Sequence, residues 1–93
     1  MKTIKGQSFL TITASAGEMY MIDYTVPPKL SIANNTANTI LIGADSEFTN
    51  STGEVRECID VPSGVGVNNI RMPFNKVYIK TEGSGSIVIV RCG

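Results

Sequence analysis

Apolar and polar residues alternate along most of this chain with the two-residue period of a half-buried strand. Residues 8–13 set Thr11 and Thr13 against Phe9, Leu10 and Ile12. Residues 18–25 carry Met19 and Met21 on one side and Tyr20, Ile22 and Tyr24 on the other. They stop at Pro27-Pro28, because proline cannot donate to a ladder. Residues 30–33 and 39–44 flank Asn34-Asn35-Thr36-Ala37-Asn38, which reads as a turn-rich connector. The most polar stretch, 45–54, is expected to be an exposed loop. Two further strands, 55–61 and 67–72, are closed by Pro62-Ser63-Gly64 and by Pro73. The last two runs, 77–81 and 86–90, lie on either side of Glu82-Gly83-Ser84-Gly85 and have the pattern of a β-hairpin. No segment has helical spacing. About eight short antiparallel strands with turn signals every 8–12 residues predict one all-β domain over residues 1–93, a small β-sandwich of jelly-roll type.

Three of these strands are too apolar for such a fold standing alone. A two-sheet sandwich wets one face of each strand. Residues 18–25, 39–44 and 86–90 are apolar on both faces, and Ile87, Val88, Ile89 and Val90 follow one another without a break. A domain of 93 residues has no third layer to cover the second face. The pattern therefore predicts a homo-oligomer whose interface resembles a divided core. Its expected residues are Tyr20, Ile22, Ile40, Ile42, Tyr78, Ile87, Val88, Ile89 and Val90.

Composition narrows the function classes. Eight Lys plus Arg balance eight Asp plus Glu, scattered singly, so there is no electrostatic footprint for nucleic acid or an anionic membrane. No apolar run approaches the ~20 residues of a membrane-spanning helix. Lys2 and Lys5 ahead of residues 9–16 have the outline of a signal peptide, but Gly6, Gln7 and Ser8 break the apolar run. The first strand is the expected structure there.

Histidine is missing, which removes the usual general base and the commonest metal ligand. The glycines at 64, 66, 83 and 85 precede no helix and read as turn residues, not a phosphate cradle. Neither catalysis nor a cofactor nor a metal is expected. Asp45, Glu47 and Asn50 could offer oxygens to calcium, but their spacing matches no calcium-binding pattern. With Phe48, which anchors a partner if exposed and plugs the core if turned inward, they form the expected partner-binding loop, since recognition often resides on loops. Cys58 and Cys92, with no Cys-x-x-Cys, are expected to be reduced thiols. Asn34-Asn35-Thr36 and Asn50-Ser51-Thr52 match the glycosylation pattern and read as turn chemistry.

The C-terminal half, "IDVPSG…NIRMPFNKVYIKTEGSGSIVIV", closes a strand with Pro-Ser-Gly and passes a Pro-Phe hinge into Lys-Val-Tyr-Ile-Lys. Gly-Ser-Gly then leads into an apolar strand. This order resembles small tailed-bacteriophage virion proteins, the capsid decoration proteins and the capsid-binding base domains of head fibres. "KLSIANNTANTILIG" is similar to their early strands. The resemblance spans residues 29 to 91 and rests on the order of strands and turns, not on a signature motif. It implies a sandwich, commonly trimeric, that is assembled in the host cytoplasm and sits in the virion. Its partner would be the major capsid protein or another virion protein. No fibre-forming extension is present, so decoration fits better than a complete fibre. The alternative is a small carbohydrate- or surface-binding sandwich, which would want an aromatic platform. Tryptophan is absent.

Overall fold

The computed structural model describes residues 1–44 and 58–92. The expected partner loop with Asp45, Glu47, Phe48 and Asn50 lies outside these residues, as does the Cys58 side chain. Nine strands form two sheets: β1 (Lys2–Lys5), β2 (Phe9–Ala14), β3 (Met19–Asp23), β4 (Lys29–Thr36), β5 (Ile40–Gly43), β6 (Cys58–Val61), β7 (Gly66–Arg71), β8 (Lys76–Thr81) and β9 (Gly85–Arg91). The first sheet runs β1-β3-β8-β5-β6 and the second β2-β9-β4-β7. The all-β sandwich is as the alternation predicts. The extra strand is β1, whose single apolar residue, Ile4, gave no periodic signal, and it pairs with β3 in parallel.

The inward faces supply the core. Tyr20, Ile22, Ile40, Ile42, Val61, Val77 and Ile79 of the first sheet meet Ile12, Ala14, Leu30, Ile32, Ile87 and Ile89 of the second, none more than 5% exposed. Each large aliphatic side chain buried this way contributes roughly 1.5–3 kcal/mol before chain entropy is subtracted. This corrects the expected interface. Tyr20, Ile22, Ile40, Ile42, Ile87 and Ile89 fill the core of a single chain, because strand parity turns them all inward between the two sheets. Only Tyr78, Val88 and Val90 of the nine lie outside it.

A second correction concerns the closing hairpin. β8 and β9 follow one another but belong to different sheets, so residues 82–84 arch across the sandwich. The same crossing occurs at every connection except that between β5 and β6. Gly85 is where the arch enters the second sheet. Its φ is 142°, and a Cβ there would lie 2.6 Å from both Asn35 O and Thr36 Cα. The main chain of β4 occupies the space that a side chain would need.

The supposed connector at 34–38 is also strand over three of its five residues. β4 continues to Thr36, and Asn34 is wholly buried. Its Nδ2 donates to Val61 O of the opposite sheet at 2.8 Å and to Asn38 O at 2.9 Å. Its Oδ1 accepts from Thr36 N at 2.9 Å and from Thr36 Oγ1 at 2.6 Å. At the same end, Thr81 Oγ1 donates to Ser15 O at 2.8 Å and fixes the β2–β3 turn.

Replacing Gly85 with alanine should lower unfolding free energy by about 2 kcal/mol or more, from the positive φ and the contact with β4. Urea denaturation checks this. Unchanged stability would mean that β9 does not start against β4.

Candidate functional site

Strand parity gives each sheet an outer surface, and the two surfaces differ in charge. On the first sheet, register aligns Met19 with Lys80 and Leu41, which neighbours Asp60. Met21 aligns with Tyr78, and Asp23 with Lys76. Apolar and ionised side chains therefore interleave.

The second sheet has rows Phe9–Val90–Ser31, Thr11–Val88–Ala33–Gly66 and Thr13–Ser86–Asn35. None of these residues carries a charge, and most are small; beyond Ser31 the outer face ends in Lys29, paired with Arg71. A depression of about 130 Å³ is lined by Ser31, Ala33, Gly66, Asn68, Val88 and Val90, together with Ile32. It is smaller than the roughly 300–1,000 Å³ of a typical small-ligand site.

This flat surface runs to an end of the sandwich where three crossovers are stitched together. Gly6 N donates to Asp23 O at 2.8 Å, Tyr24 N to Asn75 O at 2.9 Å, and Met72 N to Pro28 O at 2.9 Å. Phe9 is 62% exposed, Phe74 54%, Val26 50% and Val90 37%, all on this end or the rows beside it. A surface of this kind, with exposed apolar side chains beside one Lys29–Arg71 pair and uncharged across its central rows, suits docking against another protein. Val88 and Val90 belong to it. Tyr78 lies on the opposite sheet, so the structure does not bring the three remaining interface residues together. Sequence reasoning passed over Phe9, Val26 and Phe74. Phe9 was legible, since it shares parity with the solvent-facing Thr11 and Thr13. Val26 and Phe74 sit in turns, where parity says nothing.

A larger depression, about 460 Å³, lies at the same end and is lined by Thr3, Ile4, Lys5, Asp23, Tyr24, Thr25 and Asn75. It has room for a small molecule but contains no nucleophile paired with a base. Among the described residues no group of three or more His, Cys, Asp or Glu could hold a metal. Cys92 is a free, exposed thiol 3.3 Å from Ser31 Oγ.

Tyr24 is the unusual group here. Its ring is buried against Gly6, where any side chain would collide with it. Its hydroxyl is buried and meets no hydrogen-bond partner among the described residues. Burial pushes its pKa above the ordinary 10.0, while the nearby positive charge of Arg91 pulls the other way.

No family model matches the chain, and no curated protein is significantly similar to it.

Tyr24→Phe should stabilise the protein by about 1 kcal/mol, because it removes a buried hydroxyl that has no partner among the described residues. The native protein should hold its stability up to about pH 10 and lose it above, as the unfolded chain releases the Tyr24 proton more readily than the folded one. The variant should lose less over that range. Denaturation at stepped alkaline pH reads both effects, and a destabilised Tyr24→Phe would show that the hydroxyl has a partner after all.

Proposed function

We propose that this chain is a non-enzymatic structural protein of a tailed-bacteriophage virion. It acts as a capsid decoration or auxiliary head protein that self-associates and docks on the capsid lattice. The observation that carries this reading is the outer surface of β2-β9-β4-β7, uncharged in its rows from Phe9–Val90–Ser31 to Thr13–Ser86–Asn35, with Lys29 and Arg71 only at the rim and the exposed side chains of Phe9, Val26, Phe74 and Val90 at the same end. The resemblance of residues 29 to 91 to virion proteins supplies the kind of partner. A flat surface makes many shallow contacts and few deep ones, so one copy binds weakly. Several copies held together on a repeating lattice raise apparent affinity by ~10²–10⁴ without any new contact. Uncharged central rows suit a site chosen by shape, so the salt dependence of binding should be modest and come from Lys29 and Arg71 at the rim.

Co-sedimentation with expanded capsids of the cognate phage tests the proposal. Saturable binding is expected, with little loss at high salt. Val90→Asp combined with Phe74→Ser should weaken it at least about tenfold, since each substitution removes an exposed apolar contact. Binding that is absent, or indifferent to both substitutions, contradicts the proposal. Retention on a polysaccharide array in place of capsids would favour the carbohydrate-binding alternative.

A further inference from the structure

Four strands end the two sheets: β1 and β6 in the first, β2 and β7 in the second. An edge strand offers unpaired N–H and C=O groups to any extended chain. Proteins that stay monomeric guard such edges with charge, proline, bulges or short length. Three of the four edges carry guards. β1 has four residues, two of them Lys2 and Lys5. β6 also has four, includes Asp60 and runs into Pro62. β7 breaks register opposite Leu30 and Ile32, holds Asn69 at a φ of 60° and ends in Arg71. β2 has none of these. It is six residues, FLTITA, without charge or proline, in unbroken register with β9. Among the described residues, no strand pairs with its second side.

The direction of its free groups follows from one hydrogen bond. Arg91 N donates to Ser8 O at 2.9 Å, which makes Ser8 and Arg91 a bonded pair. Antiparallel alternation then gives Leu10, Ile12 and Ala14 their bonds to β9, and turns the N–H and C=O groups of Phe9, Thr11 and Thr13 away from it. The side chains of these three residues are exposed as well.

We propose that a second copy of this chain pairs with β2, edge to edge and antiparallel, about a two-fold axis at Thr11. Phe9 then lies opposite the partner's Thr13, Thr11 opposite itself, and Leu10 opposite the partner's Ile12. Self-pairing of β2 sets no like charges against each other, whereas self-pairing of β1 would bring lysines together. Two four-stranded sheets become one of eight, which doubles the outer surface available for docking. A two-fold contact uses the same edge on both copies and closes, so it gives a dimer instead of the trimer that the virion resemblance implies. This inference deepens the self-association part of the proposed function, but it stands on the edge geometry alone.

Light scattering on the purified chain tests it without capsids, so failed capsid docking by an intact dimer would count against the proposed function only. The native protein should show about twice its 9.9 kDa chain mass. Thr11→Lys and Thr11→Glu should each halve that mass while leaving the thermal melt cooperative, and mixing the two should restore it. Hydrogen exchange on the native chain provides a reading independent of the variants. The Thr11 and Thr13 amides should become protected as concentration rises from micromolar to millimolar. A native monomer at millimolar concentration, a trimer, a dimer untouched by Thr11→Lys, or fast exchange at Thr11 and Thr13 throughout would each overturn the inference.

Discussion

The Asn34 amide, enclosed between the two sheets, uses both its donors and its acceptor, and much of the fold meets at that point. It sits on β4, reaches across to Val61 at the end of β6, and holds Thr36 and Asn38 in the turn toward β5. The Asn34 main chain binds the β6–β7 crossover as well, through Gly64 N and Val65 O. One residue thus fastens two crossovers and both layers. The arrangement is consequential because nearly every connection in this chain passes from one sheet to the other. Such a topology offers few local contacts with which to start folding, and long-range pairing must be fixed by something specific. Apolar packing alone is tolerant of rearrangement, whereas a buried polar group that loses its partners leaves costly orphans behind.

With the layers locked this way, the apolar character of both strand faces takes on a different meaning. One face of each strand is used up inside a single chain, and the residues there cannot also meet a partner. What remains outside divides by sheet. The β1-β3-β8-β5-β6 surface mixes Met19, Met21, Leu41 and Tyr78 with lysines and aspartates, and these apolar residues are half-buried. The β2-β9-β4-β7 surface confines its charge to the Lys29–Arg71 pair at the rim and keeps Phe9 and Val90 in solvent. The same alternation that fills the core with isoleucine therefore produces an exterior on one sheet whose central rows are uncharged. Its unguarded edge and its apolar end are consequences of the same sequence.

Fold class was legible because strand parity is local. Residues 18–25 already separate Tyr20, Ile22 and Tyr24 from Met19 and Met21, and that division is the one the core uses. Strand partners were not legible. Glu82-Gly83-Ser84-Gly85 satisfies a hairpin and an arch equally well. The choice is made by β4, whose main chain packs against Gly85 from some fifty residues earlier in the sequence. Asn34 misled for a related reason. Asparagine favours turns when its amide bonds to nearby backbone, and here the amide bonds to Val61 of a distant strand instead. The candidate surface was half legible: parity places Phe9, Val88 and Val90 outward, but only the pairing of β2 with β9 and of β9 with β4 assembles them into one sheet.

The claim that a buried polar clasp fixes how the two sheets meet is tested most directly by comparing Asn34→Leu with Asn35→Leu in urea denaturation. The neighbours have the same side chain and opposite parity, one inside the sandwich and one outside. Asn34→Leu should cost about 3 kcal/mol or more, since Val61 O and Thr36 N lose the Asn34 amide and Asn38 O keeps only Thr36 Oγ1, while Asn35→Leu should stay within about 0.5 kcal/mol. Equal and small effects from the two substitutions would contradict the account.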